Sequence, residues 1–473
     1  MTENNEHDIY MLGIGGIAMG TLATMLKEKG YRVSGSDLNL YPPMSTHLES
    51  LGIPIFHGYA AENLIRSEKP DFAVIGNVIR KDNPEAQYVL ESGIPYLSMP
   101  EAISRFFLCD HESIVVAGTH GKSTTSSLLA WVLTSGGLDP SAFIGAFVRN
   151  WDRSYRLGKG RYMVLEGDEY DTAFFDKGPK FLHYRPSIGL ITSIEFDHAD
   201  IFADFDAVYR AFQMFVQLVP PDGNLIVNAD DVHCVEVGRE CPGRFFTYGR
   251  SPGADWRMLD ISCSPGEVRF TYVNGLNGRR ESISSRLPGP HNAFNTLAVT
   301  AAASLAGMSH ESIQEAVLSF KGVKRRQEVL GECNGVLVID DFAHHPTAVR
   351  ETVHALRLFY PDRRLIAIFE PRTNSSRRNV FQNDYALAFD EADCVCIKEP
   401  PGMDAIPEAE RLNALQLVHD IDSRRKECHY FTSAAELQQF LLEYCAPGDV
   451  ALCMSNGSFD GLPRALLNAL EAL

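Results

Sequence analysis

Ser113-Ile114-Val115-Val116-Ala117-Gly118-Thr119-His120-Gly121-Lys122-Ser123-Thr124-Thr125 is the stretch on which the fold turns. An apolar run of strand length enters a glycine loop, and an apolar-periodic helix follows through Leu128–Leu133. The loop is two spacer residues shorter than G-x-x-x-x-G-K-[ST] but keeps its working parts. Glycines let backbone N–H groups close round phosphate oxygens, Lys122 can neutralise charge at a β/γ bridge, and the Ser123 hydroxyl is a hard ligand for Mg²⁺. A plain turn with an exposed lysine is the alternative. The strand before and the helix after favour an ATP loop built from Gly118, Thr119, His120, Gly121, Lys122, Ser123 and Thr124, with His120 included by proximity alone.

Upstream, Ile9-Tyr10-Met11-Leu12 reads as a buried strand, Gly13-Ile14-Gly15-Gly16 as a tight turn, 17–29 as a helix and 31–34 as a second strand. This βαβ opening carries G-x-G-x-x-A at Gly13, Gly15 and Ala18, with Asp37 where a ribose hydroxyl acceptor usually stands. A mononucleotide or a UDP-sugar can use such a crevice as readily as a dinucleotide, because N–H groups at a helix N-terminus bind any pyrophosphate. Downstream, strands are expected at 162–165 and 188–191, and an Ala-rich helix after Gly289-Pro290-His291-Asn292. Beyond Lys324-Arg325-Arg326, strands at 336–339, 365–369 and 450–453 alternate with helical stretches. The pattern predicts an α/β protein of three serial domains, over 1–110, 111–324 and 325–473. Two groups could complete a metal site with Ser123: Glu166, ending a strand, and His198 in Glu195-Phe196-Asp197-His198. Each could equally be a surface acid or a hydrogen-bonded rim histidine.

The chain's 473 residues fit about three domains, and 45% hydrophobic residues with 22% charged exclude disorder and fibrous classes. A net charge of −18 without a basic run excludes nonspecific nucleic-acid binding and an electrostatic membrane role. No apolar stretch reaches the ~18 residues of a spanning helix. The acidic start Met1-Thr2-Glu3 is unlike a signal peptide, so a cytoplasmic protein is expected, as monomer or weak homodimer. The 10 cysteines contain no C-x-x-C and read as reduced packing residues, including Cys394 and Cys396 on one face of a strand.

Taken together, Gly118–Thr125, Glu166-x-Asp168-Glu169, Asp197-His198, His291-Asn292-Ala293-x-Asn295, Arg325-Arg326 and Asp340-Asp341-Phe342-Ala343-His344-His345-Pro346-Thr347 resemble the Mur ligases along essentially the whole chain. These are ATP-dependent enzymes that join amino acids or peptides to UDP-N-acetylmuramate in bacterial cell-wall synthesis. The resemblance implies a Rossmann-like UDP-binding domain, a central P-loop ATPase-type domain and a Rossmann-like C-terminal domain that binds peptide. It implies UDP-sugar contacts at Gly13, Gly15, Gly16 and Asp37, and Mg²⁺ on Ser123, Glu166 and His198. Adenine falls near His291, Asn292 and Asn295, and Arg326, Asp341 and His344 face the reacting phosphate and carboxylate. Tyr41-Pro42-Pro43-Met44 and Glu370-Pro371-Arg372-Thr373-Asn374-Ser375 look most like the branch that attaches the murein tripeptide L-alanyl-γ-D-glutamyl-meso-diaminopimelate during peptidoglycan recycling. The alternative is the branch that adds L-alanine. Where the family usually has Thr-Asn-Ile, this chain has Thr192-Ser193-Ile194.

Amide formation from a free carboxylate is uphill in water, so an acyl phosphate is expected first, then attack by the peptide amine. Both steps build charge on oxygens, which calls for cationic clamps rather than a nucleophilic triad. Lys122 and Arg326 are the expected clamps, with catalytic parts for His198, Asp341 and His344 as well. Arg326 could also belong to a solvated basic cluster. Its place before the third unit favours delivery to a phosphate, with a hinge expected over 322–326. Arg372, Asn374 and Ser375, after a strand end, are expected to read the peptide's carboxylates. A dehydrogenase would rest on the G-x-G-x-x-A turn alone and leave the later units without work, and a non-catalytic UDP-sugar sensor would show no tripeptide-dependent ADP formation.

Overall fold

The computed structural model describes residues 7–40, 44–66, 69–197, 199 and 201–472; the expected metal ligand His198 lies outside them. Three sheets follow one another along the chain. The first has five parallel strands in the spatial order Ile55–His57, Arg32–Asp37, Asp8–Leu12, Phe72–Ile75, Tyr96–Ser98. Its order reverses beside Asp8–Leu12, so the Gly13 turn opens at the crevice where doubly wound sheets bind ligands.

The second sheet has ten strands. At its centre Glu112–Ala117 lies between Pro186–Ile191 and Tyr162–Gly167, all parallel, which makes the end of Glu112–Ala117 a second switch point. These three strands are apolar on both faces because helices cover both, as parallel sheets require. Behind the loop, the helices Lys122–Ser135 and Pro290–Leu305 pack on each other, and the run Ala298–Ala303 lets their axes approach closely. Past Arg244–Gly249 the sheet continues through Trp256–Ser264 into antiparallel Glu267–Val273 and Arg280–Ser285, an extension that the α/β alternation did not predict.

The third sheet runs in the order Glu328–Cys333, Val336–Asp341, Asp449–Met454, Arg364–Phe369, Cys394–Lys398, Glu427–Phe431, and is parallel except for its first strand. Its helices bury Leu417, Leu437, Leu441 and Leu466 on either face. Among the described residues no helix is long and apolar enough to cross a membrane.

Candidate active site

The phosphate loop leaves Ala117 and enters its helix at Lys122, with Gly118 and Gly121 at φ 129° and 80°. Neither position has room for a side chain: a Cβ on Gly118 would lie 2.1 Å from Thr192 Oγ1, and one on Gly121 2.8 Å from Asn295 Oδ1. Ser193 holds the loop from below. Its carbonyl accepts from Thr119 N–H at 2.9 Å and its hydroxyl from His120 N–H at 3.1 Å. Ser193 thus supplies two hydrogen bonds that hold the loop.

Lys122 Nζ donates to Gly118 O at 2.6 Å and pairs with Glu169 at 2.9 Å. Burial alone would favour the neutral amine, but the Glu169 and Asp168 carboxylates lift its pKa above the ordinary lysine range and keep it charged. Ser123 Oγ donates to Glu166 Oε1 at 2.7 Å, and the other Glu166 oxygen accepts from Gly145 N–H at 2.8 Å. Burial, with Asp168 nearby, raises the pKa of Glu166, so this carboxylate stands short of positive charge. A serine hydroxyl beside such a carboxylate is the all-oxygen donor set that Mg²⁺ takes, and the residues fit that ion.

The third domain closes over this loop. Arg326 Nη2 reaches Ser123 Oγ at 3.3 Å, and its guanidinium lies 4.8 Å from the Phe342 ring. Asp341 does not contact His344 directly. Its two oxygens accept from Gln327 N–H at 2.6 Å and Ala343 N–H at 2.7 Å, so it shapes the strand-to-helix turn. His344 Nδ1 lies 3.0 Å from Phe342 O. Burial lowers the pKa of His344 against the opposing charge of Asp197, and raises that of Asp341 against Arg326. The neighbouring His345 is the histidine that crosses the cleft, with its ring 4.6 Å from that of His120 and Nε2 3.3 Å from Phe196 O. Glu195 joins both sides, accepting from Thr347 Oγ1 at 2.8 Å and lying 3.4 Å from His120 Nε2. Burial opposes its ionisation, yet His120 and Thr347 hold its pKa at about 2.

A cavity of about 230 Å³ beside the loop is lined by His120, Thr124, Asn228, Tyr248, His291, Asn295 and Arg326. Asn292 and Asn295 are tied to each other at 3.1 Å, and Asn292 also to Gln327 at 3.0 Å. His291 Nδ1 is buried with no hydrogen-bond partner, and burial lowers its pKa to about 4. At the first switch point Gly15 N–H donates to Asp37 Oδ2 at 2.8 Å, and Asn39 N–H to Oδ1 at 3.0 Å. Asp37 thus braces the Gly13-Gly15-Gly16 turn through Oδ2, while Oδ1 fixes its own loop at Asn39.

The expected peptide readers separate. Arg372 stays at the sheet's C-terminal edge, 3.3 Å from Glu370 and 3.9 Å from Asp460, running past Gly457 where a Cβ would sit 2.2 Å from its Cδ. Asn374 accepts from Arg377 at 2.7 Å. Ser375 is buried and accepts from Ala199 N–H at 3.1 Å, a contact between domains. Sequence reasoning passed over Glu195, His345, Thr347 and Lys398, the last paired with Glu370 at 2.9 Å. The Glu195 and His345–Thr347 signals lay inside motifs already quoted; Lys398 had none.

A glycine loop at one switch point, a braced glycine turn at another and an arginine reaching that loop from the third domain have the make-up of a nucleotide-dependent enzyme. Residues 8–108 match the Mur ligase family, catalytic domain, residues 116–303 the Mur ligase middle domain, and residues 325–457 the Mur ligase, glutamate ligase domain. The chain belongs to the Mur ligase family. It is 37% identical over 465 residues to the UDP-N-acetylmuramate–L-alanyl-γ-D-glutamyl-meso-2,6-diaminoheptandioate ligase of Escherichia coli K12, covering 98% of each chain. The UDP-N-acetylmuramate–L-alanine ligase of Carboxydothermus hydrogenoformans is 34% identical over 469 residues, at 97% and 96% coverage. A crystal structure of a murein peptide ligase from Psychrobacter arcticus covers 99% of both chains at 33% identity, with a TM-score of 0.73.

Proposed function

We propose that this chain is an ATP-dependent ligase that joins L-alanyl-γ-D-glutamyl-meso-diaminopimelate to UDP-N-acetylmuramate, releasing ADP and phosphate, in murein peptide recycling in the cytoplasm. The observation that carries the reading is the meeting of Arg326, Ser123 and Glu166, which puts a cation of the third domain on the phosphate loop of the second. Full-length similarity to ligases named for that tripeptide supports the choice of acceptor.

In this reading residues 1–110 bind the UDP-sugar through the Gly13 turn, 111–324 bind ATP, and 325–473 bind the peptide. Loop N–H groups and Lys122 hold the ATP phosphates, and the cavity under His291 and Asn295 takes the adenine. Ser123 and Glu166 would hold Mg²⁺, which when bound offsets charge on the phosphate oxygens. Arg326 orients the γ-phosphate toward the lactyl carboxylate and stabilises charge as the acyl phosphate forms. Closure excludes water, which would otherwise hydrolyse that intermediate. In this reading His344, kept neutral by burial, accepts a proton as the peptide amine attacks. Arg372 supplies a cation for the peptide's carboxylates.

The test is ADP release with UDP-N-acetylmuramate and MgATP, comparing the intact tripeptide with L-alanine. The tripeptide is expected to be preferred by at least about 100-fold in kcat/KM, roughly 2.7 kcal/mol of transition-state discrimination. Preference for L-alanine would assign the chain to the L-alanine-adding branch instead.

A further inference from the structure

The far end of the third sheet carries a second group of metal-ligating side chains. Cys394 and Cys396 alternate on the strand Cys394–Lys398, and the edge strand beside it places Glu427 opposite Cys394 and His429 opposite Cys396. Register partners in a parallel pair share a face, so the four side chains form a block two residues by two. One ligand atom each from Cys394, Glu427 and His429 lies within 4.8 Å of the others.

We propose that Cys394, Glu427 and His429 form a binding site for a divalent soft metal ion, with Zn²⁺ the best fit. Thiolate, imidazole and carboxylate are the ligands tetrahedral Zn²⁺ takes, and shifts of about 1 Å would bring these atoms to bonding distance. The His429 and Glu427 side chains already meet at 2.9 Å through a proton that the ion would replace. Tyr444 OH donates to the second Glu427 oxygen at 2.7 Å, and the Phe440 ring lies 4.7 Å from that of His429, so two ligands are held in orientation by groups behind them.

Access is also provided. Both cysteines are fully buried, while the His429 and Glu427 side chains are 34% and 50% exposed along the sheet edge, so an ion can enter from that side. The phosphate loop faces the opposite strand ends: Cys394 begins a strand whose last residue, Lys398, lies about 13 Å further on. The site is therefore independent of the proposed reaction, and its role is to tie the edge strand to its neighbour. In the sequence alone the same two cysteines read as packing, because Glu427 and His429 lie some thirty residues away.

The experiment titrates the reduced, chelator-treated full chain with Co²⁺ as a spectroscopic stand-in. Expected are one tight equivalent showing thiolate-to-metal charge transfer and tetrahedral visible bands, displacement by Zn²⁺, and a Zn²⁺-induced rise in Tm. His429→Gln, at a part-exposed position that folding tolerates, should weaken binding at least about tenfold, and Cys394→Ser should remove the charge-transfer band. Cys263→Ser, on the edge of the second sheet, should leave both unchanged. Should Cys394→Ser fail to fold, alkylation of Cys394 in the wild-type chain, followed by mass spectrometry, must slow with Zn²⁺ bound. Absence of charge transfer, its persistence in Cys394→Ser, or unchanged alkylation would overturn the site.

Discussion

Glu166 shows how one side chain can be costly to the empty protein and necessary to the working one. In the folded chain its pKa is raised, by burial and then by Asp168, so the native state binds its proton more tightly than the unfolded chain does. By linkage, a carboxylate of this kind lowers stability as pH rises above its unfolded pKa. Glu166→Gln removes the charge and keeps the contacts, since the amide oxygen can accept from Gly145 N–H and the amide nitrogen can donate to Ser123 Oγ. The expected outcome at neutral pH is a Tm a few degrees above wild type without nucleotide, a gap that closes on acidification toward pH 4. Turnover should fall by at least about 100-fold, with UDP-N-acetylmuramate affinity unchanged. Thermal melts at both pH values and the ADP-release assay check this; a variant of normal turnover would remove Glu166 from the reaction.

The phosphate loop is the element on which the fold depends, and its tightness comes from neighbours distant in sequence. Gly118→Ala would place a methyl group 2.1 Å from Thr192 Oγ1 at a φ of 129°, so Thr192 must swing away and release the loop from below. The expected result is a fall in stability of about 1–3 kcal/mol and an ATP KM raised at least about tenfold, with weaker effects on the UDP-sugar. Unchanged ATP binding by calorimetry would contradict the loop geometry. Strand, loop and helix were all legible here, because local periodicity and glycine spacing set them. Thr192 and Ser193 as the loop's support were not, because they follow the strand Pro186–Ile191, which only the sheet order places beside the loop. For the same reason Ser375 reads as a peptide ligand in sequence and becomes a contact between domains in the fold. The strands Trp256–Ser264 and Glu267–Val273 alternate polar and apolar residues, a period-2 signal hidden by the stronger α/β pattern around it.

At the scale of the whole molecule, the proposed closure rests on a short hinge and a few polar contacts. The chain leaves the second domain through Gly322, Arg325 and Gln327, at φ 86°, 58° and 50°, pinned on one side by hydrogen bonds from Arg149 N–H to Gly322 O and from Lys324 N–H to Phe147 O. Across the cleft stand Arg326 on Ser123 at 3.3 Å, Thr347 on Glu195 at 2.8 Å, Ala199 on Ser375 at 3.1 Å and His345 on Phe196 at 3.3 Å. Each such hydrogen bond contributes about 0.5–1.5 kcal/mol net, so the set amounts to a few kcal/mol, the range in which ligands decide between two states. Glu195→Ala removes the acceptor shared by Thr347 and His120, and should shift the ligand-free protein toward an open form with a larger radius of gyration in small-angle scattering. MgADP with UDP-N-acetylmuramate should restore the compact profile, because both ligands fill the cleft that closure completes. The kinetic counterpart is an ATP KM raised several-fold with a smaller change in kcat, since the differential contact is spent on closing. Identical scattering from wild type and variant, with and without ligands, would mean that the third domain is fixed in place and that Arg326 reaches the phosphate loop without any swing.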